Sequence, residues 1–279
     1  MRRVTQPTVT FIGGGNMARA IYGGLLDSGF TATNISIVDP STAAQDNARQ
    51  AGIEQVFDRA PDEALSADLI VLAIKPQITN AGLTPLARRL GPNSVVLSIV
   101  AGISTRSLAT LLGLSDSGPI IRCMPNTPAL VGEGMTGLYS NSHAGAAEGK
   151  ALAERVMSSV GQCVWVEKEP DLDVVTAISG SGPAYFFLFI ESLTDAAIAL
   201  GMDSESARKL ALQTALGASR LASLSDEDAA TLRKNVTSPG GTTEQAIQSF
   251  ETSDIRGIVA RATQAAARRS VELSQEFGV

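Results

Sequence analysis

The architecture of this chain follows from the stretch Val9-Thr-Phe-Ile-Gly-Gly-Gly-Asn-Met-Ala18. Its first four residues predict a short buried strand, and a segment with helical spacing follows from Asn16 to Ser28. The glycines match G-x-G-x-x-A, the strand-to-helix turn of dinucleotide-binding domains. Gly13 allows a tight turn, Gly15 lets the backbone approach a pyrophosphate, and Ala18 allows close packing of helix on strand. The alternative is a glycine-rich turn that binds no ligand.

Strands and helices are predicted to alternate over the first 166 residues. This pattern is typical of an α/β protein with a mostly parallel sheet and helices on both faces, a Rossmann-like domain. Strands are predicted at 9–12, 35–38, 69–74, 94–100, 120–124, 136–139 and 163–166, and helices at 16–28, 42–51, 78–90, 104–112 and 144–160.

The pattern changes after a charged, proline-containing segment, 167–171. Beyond it the sequence predicts only helices, at 183–200, 204–224, 226–236, 243–250 and 254–277. We therefore predict two domains, a dinucleotide-binding domain over 1–166 and an all-α domain over 167–279.

A second turn of special geometry lies in the helical part, at Ser238-Pro-Gly-Gly-Thr-Thr243. Its glycines let the backbone approach a ligand, and Thr242 or Thr243 begins a helix. Free N–H groups and the dipole at that helix start favour an anion such as a small carboxylate, with hydroxyl groups beside it. An ordinary helix cap is the alternative.

Composition limits the classes of function. The 279 residues are 44% hydrophobic and carry a net charge of −6, which argues against a nucleic-acid partner. No apolar stretch reaches the roughly 18 residues that a membrane helix needs, because Glu191 and Asp195 interrupt 184–200. The N-terminus shows no secretion signal, so we expect a cytoplasmic protein without disulfides.

The residue types that usually carry catalysis or bind metals are scarce. Cys123 and Cys163 do not have the spacing of metal ligands, and His143 is the single histidine. We therefore expect no metal site, no role for His143 and no histidine-based triad. A bound cofactor must then supply most of the chemistry.

Two positions bear on which cofactor binds. Asp39 ends the second strand, where an acidic residue commonly binds the ribose 2′-hydroxyl of NAD. It could instead cap the turn before Pro40, and Ser41 and Thr42 could hold a 2′-phosphate. Lys75 follows the carboxyl end of another strand, where α/β sheets bind ligands, although most lysines are surface charges.

Five motifs, in order, resemble those of pyrroline-5-carboxylate reductases, and the resemblance extends from residue 8 to about residue 275. They are Phe11-Ile-Gly-Gly-Gly-Asn-Met-Ala18, Ala73-Ile-Lys-Pro76, Arg122-Cys-Met-Pro-Asn-Thr-Pro128, Ser179-Gly-Ser-Gly-Pro-Ala-Tyr185 and the run Leu232–Glu251 around the second turn. The resemblance implies reduction of (S)-1-pyrroline-5-carboxylate to L-proline by hydride transfer. It also implies NADPH as cofactor, with NADH as the alternative, and a homodimer or decamer with the helix 185–200 buried at the subunit interface.

The resemblance also implies a set of site residues. Thr243 is the expected catalytic hydroxyl, near the imine nitrogen, and the N–H groups of Gly241, Thr242 and Thr243 are expected to receive the substrate carboxylate. The substrate-binding set is Asn235, Ser238, Gly240, Gly241, Thr242 and Thr243. The cofactor-binding set is Ile12, Gly13, Gly14, Gly15, Asn16, Met17, Ala18, Asp39, Ala73, Ile74, Lys75, Pro76, Val100, Ala101, Gly102 and Asn126.

Two other functions fit the same architecture. One is a β-hydroxyacid dehydrogenase or imine reductase, which typically uses a lysine in the helical domain; Lys168, Lys209 and Lys234 lie in no such motif. The other is a non-catalytic dinucleotide sensor, which would not need the second turn.

Overall fold

A computed structural model describes residues 6–115, 118–141 and 146–277, so His143 lies outside the described residues. The chain forms two compact units. The first runs to Ser181 and includes the chain again from Ala266 onward, and the second spans Gly182–Ala265. The last strand ends at Trp165, close to the predicted change from strands to helices. The domain boundary near 167 stays a prediction.

The first unit contains one sheet with eight strands in the described part of the chain, ordered β3-β2-β1-β4-β5-β6-β7-β8. Neighbouring strands are parallel except β6 and β7, which are antiparallel. The predicted mostly parallel α/β fold is confirmed. The strands are β1 Val9–Ile12, β2 Ile35–Val38, β3 Gln55–Phe57, β4 Leu69–Leu72, β5 Val95–Ser98, β6 Ile120–Met124, β7 Gly134–Ser140 and β8 Gly161–Trp165.

Helices connect these strands and cover both faces of the sheet. All four residues of β1, β2, β4 and β5 are buried, as expected for parallel strands covered on both sides. Two apolar core clusters result, one including Phe11 and Tyr22 and the other including Ile70 and Leu108. The helices of this unit are α1 Asn16–Asp27, α2 Thr42–Gln50, α3 Asp62–Leu65, α4 Thr79–Leu83, α5 Thr105–Leu112, α6 Ala146–Ser158 and α7 Asp171–Val175.

Local structure differs from the predictions at several places. The predicted helix 78–90 is broken into α4 and two 3-10 turns, because Pro85 lacks the N–H that a continuing helix requires. Strand β3 was not predicted, since three residues at a sheet edge show no clear periodicity. A π-helical turn, Thr176–Gly180, follows α7 and was not predicted either.

The second unit is helical throughout its described elements, as predicted. It contains α8 Gly182–Ala199, α9 Ser204–Leu224, α10 Ala229–Asn235, α11 Thr242–Thr252 and the first turns of α12 Ile255–Phe277. Asp203 and Asp228 cap α9 and α10 by accepting bonds from Ser206 and Thr231 N–H. These hydrogen bonds lower the pKa of both carboxyl groups.

Helix α8 is not buried by its own chain. Phe186, Phe187 and Leu188 are 64%, 65% and 62% exposed, and Gly182 is the one buried residue in the helix. A core helix within a single chain is therefore excluded. Within the helical run Asp171–Ala199, an 18-residue window has a mean hydropathy of 1.3, so by length and composition the run is apolar enough to cross a membrane, whereas the sequence predicted no such stretch.

Candidate active site

The glycine turn after β1 has a geometry that only glycine adopts without strain. Gly13 has φ +103°, and its N–H donates to the Val38 carbonyl oxygen at 2.8 Å. A Cβ on Gly13 would lie 2.4 Å from the Ala73 carbonyl oxygen. The tight turn predicted for Gly13 is therefore enforced by the neighbouring strand β4 as well as by the positive φ.

The next residues form an open seat for an anion. Gly15 is the N-cap of α1 and no side chain caps the helix, while a Cβ on Gly15 would meet no atom within 4 Å. Among the described residues, the N–H groups of Gly15, Asn16 and Met17 donate to no protein acceptor. Ala18 is 1% exposed and packs against the sheet. This exposed helix start with free N–H groups fits the pyrophosphate of a dinucleotide.

The Asp39 side chain is hydrogen-bonded to the glycine turn after β1. One carboxylate oxygen accepts from the Gly14 N–H at 2.7 Å and the other from the Ser41 N–H at 2.8 Å. The Asp39 carbonyl oxygen accepts from the Gln45 side chain at 2.8 Å. Both oxygens therefore already hold backbone groups in place, and the contact of Asp39 with a ribose stays a prediction. At the start of α2, Ser41 and Thr42 are exposed and the Ser41 side chain makes no cap bond, while the Asp39 carboxylate bonds the Ser41 N–H.

The ends of β4 and β5 lie beside the glycine turn. The Ala73 N–H donates to the Ile12 carbonyl oxygen at 2.8 Å, and the Ile99 N–H donates to Leu72 at 3.0 Å. After β4, Lys75 is exposed, and its ammonium has no ion-pair partner in the described ranges. Ile74 and Pro76 flank it and are half-buried.

The loop after β5 contributes differently from what the sequence suggests. Val100 is 2% exposed and its side chain packs in the second core cluster, so this side chain lies away from solvent. Ala101 is exposed and Gly102 has φ +75°. A ligand at this edge of the sheet would therefore meet Ala101 and backbone atoms of the loop.

Asn126 joins three segments and is 9% exposed. Its amide nitrogen donates to the Ser179 carbonyl oxygen at 3.0 Å, and its amide oxygen accepts from the Met135 N–H at 2.9 Å. The side chain therefore has a structural role in this chain, holding the loop after β6 to the π-helical turn. Its position beside the nicotinamide stays a prediction.

A polar cluster near Asn126 was not found from the sequence. Glu169 accepts from Arg122 at 2.8 Å and from both the N–H and the hydroxyl of Thr105, each at 2.8 Å. The Arg122 and Glu169 side chains are 12% and 21% exposed. The one available signal was a charged residue, Arg122, within the apolar strand β6.

The predicted substrate turn lies in the second unit. Gly240 has φ +70°, and the Gly241 N–H donates to the Ser238 carbonyl oxygen at 3.0 Å. The Gly240 N–H donates to a Glu244 carboxylate oxygen at 2.8 Å, which ties the turn to the first turn of α11. The Gly241 N–H is thus used inside the turn, and its contact with a substrate carboxylate stays a prediction.

Two N–H groups and three hydroxyls remain for a ligand at this turn. The N–H groups of Thr242 and Thr243 and the hydroxyls of Ser238, Thr242 and Thr243 have no protein partner within the described part of the chain. Gly241 is the N-cap of α11 and no side chain caps this helix. The side chain of Asn235 is engaged with Glu227 at 2.9 Å, so it would have to leave that partner to bind a ligand.

Among the described residues, no group of three or more His, Cys, Asp or Glu side chains is arranged to hold a metal ion. Cys123 and Cys163 are both free thiols. Burial raises the pKa of the Cys123 thiol far above its usual value, so it does not form a reactive thiolate.

Comparison with known proteins agrees with this geometry. Residues 169–273 match the family described as pyrroline-5-carboxylate reductase dimerisation, and residues 8–102 match the family described as NADP oxidoreductase coenzyme F420-dependent. A pyrroline-5-carboxylate reductase of Pseudomonas aeruginosa is 43% identical over 99% of this chain and 100% of its own length.

Solved structures give the same result. A pyrroline-5-carboxylate reductase from Coxiella burnetii superimposes with a TM-score of 0.91 at 39% identity, covering 96% of this chain and 99% of that one. The Plasmodium falciparum pyrroline carboxylate reductase, solved with NADP bound, has a TM-score of 0.82 at 31% identity and covers 96% and 98% of the two chains.

Proposed function

Because this chain belongs to the pyrroline-5-carboxylate reductase family, we propose that it reduces (S)-1-pyrroline-5-carboxylate to L-proline with NAD(P)H. It is then an oxidoreductase of amino-acid biosynthesis that performs the last step of proline formation. The observation that carries the proposal is the uncapped start of α1, where the N–H groups of Gly15, Asn16 and Met17 have no acceptor among the described residues and a Cβ on Gly15 would meet no atom within 4 Å. When bound there, the reduced cofactor supplies the hydride for the imine carbon.

The chain's own residues bind and orient the substrate. The N–H groups of Thr242 and Thr243 receive its carboxylate at the start of α11, where the helix dipole favours an anion. The Thr243 hydroxyl faces the ring nitrogen and orients it, and Ser238 lines the same turn. A protonated cyclic imine is already electrophilic, so the protein needs no strong acid and works by orientation and exclusion of water. Asn235, Gly240 and Gly241 shape the site.

We propose that the cofactor binds to all the residues that the sequence predicted for it in the first unit. They are Ile12 to Ala18, Asp39, Ala73 to Pro76, Val100 to Gly102 and Asn126. NADPH is the proposed cofactor, with NADH as the alternative. The start of α2, with Ser41 and Thr42 exposed and no side-chain cap, supports a seat for a 2′-phosphate. Each carboxylate oxygen of Asp39 accepts one N–H group, from Gly14 or Ser41, and keeps a lone pair for a ribose hydroxyl, so NADH stays the alternative.

The assembly is proposed as a homodimer in which the apolar face of α8 meets a second copy. The exposed phenylalanines of α8 and the match to a dimerisation family over 169–273 support this arrangement. The same pairing accounts for the apolar helical run without a membrane. We further propose that five such dimers form a decamer and that the protein is cytoplasmic. Residues 1–166 would bind the dinucleotide, and residues 167–279 would bind the substrate and form the dimer.

The first experiment measures oxidation of NADPH and NADH, each with and without pyrroline-5-carboxylate. We expect oxidation that depends on the substrate, with a higher kcat/KM for NADPH. Cofactor binding without oxidation would contradict the proposal and favour a sensor. Turnover of a β-hydroxyacid in place of the imine would favour the dehydrogenase.

The role of Thr243 has a matched test within the same turn. Thr243→Ala should lower kcat/KM for the imine by about 10- to 100-fold, the range expected for one lost hydrogen bond to a charged group. Thr243→Ser should restore most of the activity because it keeps the hydroxyl. The control is Thr242→Ala, which keeps the backbone N–H group and should cost less. A Thr243→Ala enzyme with unchanged kcat/KM would exclude the hydroxyl from the reaction.

A further inference from the structure

The last turns of α12, residues 266–277, pack on the nucleotide-binding unit and form its final segment. We call this segment the C-terminal brace. Phe277 packs against the core cluster that contains Val100, Ile103 and Leu108. The C-terminal end of α12 therefore packs against the residues that support the loop after β5.

The backbone of the brace lies directly against that loop. A Cβ on Gly102 would lie 3.4 Å from both the carbonyl carbon and oxygen of Leu273, and 3.5 Å from the Ser274 nitrogen. Gly102 also has φ +75°, a conformation that other residues adopt only with strain. The brace therefore contacts the loop at the residue where its backbone turns.

A side-chain hydrogen bond also ties the brace to α7. The Ser270 hydroxyl donates to a carboxylate oxygen of Asp173 in α7 at 2.6 Å, across 97 residues of sequence. Arg269 pairs with Glu272 and Glu276 at 2.9 and 2.7 Å along the helix, which supports the helical form of these last turns.

The same segment of chain around α7 holds the far end of the loop. Glu169, which precedes α7, accepts from the N–H and the hydroxyl of Thr105, the first residue of α5. The loop from Val100 to Ser104 is thus held at one end by Glu169 and in its middle by the brace, while Asp173 ties the brace to α7.

We propose that the C-terminal brace is a positioning element for the cofactor loop, and that Ser270 and Phe277 are its positioning residues. The proposal rests on the proposed function, in which Val100, Ala101 and Gly102 border the cofactor. The loop between β5 and α5 is short, exposed at Ala101 and turned at a glycine, so without the brace it populates other conformations. The apparent affinity for the cofactor then falls in proportion to the fraction of molecules whose loop has the conformation that binds the cofactor.

The experiment uses the full chain and compares two serines on the same helix. Ser270→Ala removes the bond to Asp173, whereas the control Ser274→Ala removes only a bond to the Ser270 carbonyl oxygen within α12. Phe277→Ala and Phe277→Leu test the packing contact. NADPH affinity is measured directly from the change in NADPH fluorescence on binding, and KM is measured separately for NADPH and for the imine.

We expect Ser270→Ala and Phe277→Ala to raise the Kd and the KM for NADPH by about 2- to 10-fold, the range of one lost hydrogen bond. The KM for the imine should stay within about twofold. Phe277→Leu should restore NADPH affinity, and Ser274→Ala should match the wild type. The melting temperature of each variant identifies the temperature range in which it is folded and in which its NADPH affinity is measured.

Two outcomes would overturn the proposal in distinguishable ways. If wild type, Ser270→Ala and Phe277→Ala bind NADPH equally, the brace does not position the cofactor loop, and a lower melting temperature of the two variants shows that it only stabilises the fold. If the wild-type chain binds neither NADPH nor NADH, the proposed function fails and this inference fails with it.

Discussion

At the scale of one residue, Tyr22 places in the apolar core a hydroxyl group that has no hydrogen-bond partner in the described part of the chain. Its side chain is 1% exposed, and its hydroxyl has no hydrogen-bond partner among the described residues. An unpaired buried hydroxyl lowers stability, because it loses its bonds to water and gains none. We expect Tyr22→Phe to raise the free energy of unfolding by about 1 kcal/mol, measured by urea denaturation at neutral pH. The half-buried Tyr139 provides the control substitution Tyr139→Phe.

The same residue gives a pH dependence with a definite sign. Burial raises the pKa of Tyr22 above its ordinary value of 10.0, with a smaller opposing effect from Arg19. Above that value the unfolded chain loses a proton that the folded chain retains, so stability falls as pH rises. The advantage of Tyr22→Phe over wild type should therefore increase above pH 10.0. An advantage that stays constant from neutral to alkaline pH would contradict this explanation.

At the scale of one element, the glycine turn contains one glycine that the fold requires, Gly13, and one that we expect only cofactor binding to require, Gly15. Gly15 has φ −67°, which alanine adopts freely, and a Cβ there meets no protein atom within 4 Å. We expect Gly15→Ala to fold with a melting temperature near that of wild type. Its Kd for NADPH should rise by about tenfold or more, because the methyl group occupies the space needed by the pyrophosphate.

Gly13 is the matched comparison in the same turn. Gly13→Ala combines φ +103° with a contact at 2.4 Å to the Ala73 carbonyl oxygen. The strain and the clash together should destabilise the protein by about 3 kcal/mol or more, seen as a lower melting temperature. A Gly15→Ala protein that unfolds as easily as Gly13→Ala would show that both glycines serve the fold alone.

For the whole molecule, the exposed face of α8 predicts the state of association. Phe187 is 65% exposed, in a helix with few polar residues, and a second copy that covers it removes this apolar surface from water. We expect Phe187→Glu to yield monomers at concentrations where the wild type is dimeric, measured by light scattering after gel filtration. Burying a charge in an apolar interface is costly enough to dissociate it. Activity should fall with the dimer.

The control for association lies in the other unit. Leu130 is 57% exposed, close to the value for Phe187, but it lies outside residues 169–273, which match the dimerisation family. Leu130→Glu should therefore leave the dimer and the activity intact. If Phe187→Glu keeps the mass of the wild type, the subunits meet through another surface.

Much of the fold was predictable because it depends on residues close together in sequence. The strands β1, β2 and β6 and the helix α9 have the bounds that hydrophobic periodicity predicts. The glycine turn and the Ser-Pro-Gly-Gly-Thr-Thr turn were found from their composition alone. Each is formed within about ten residues, so the local order of residue types carries the information.

The sequence by itself determined the fold class, the two turns able to bind anions and the family resemblance. Only the tertiary structure decided which polar groups in those turns are already used. Asp39 meets Gly14 across 25 positions, Asn126 meets Ser179 across 53, and Ser270 meets Asp173 across 97. Such pairs form where the path of the chain brings separate elements together. No spacing or periodicity encodes that path, so the brace and the contact of Asp39 with Gly14 appeared only in the folded chain.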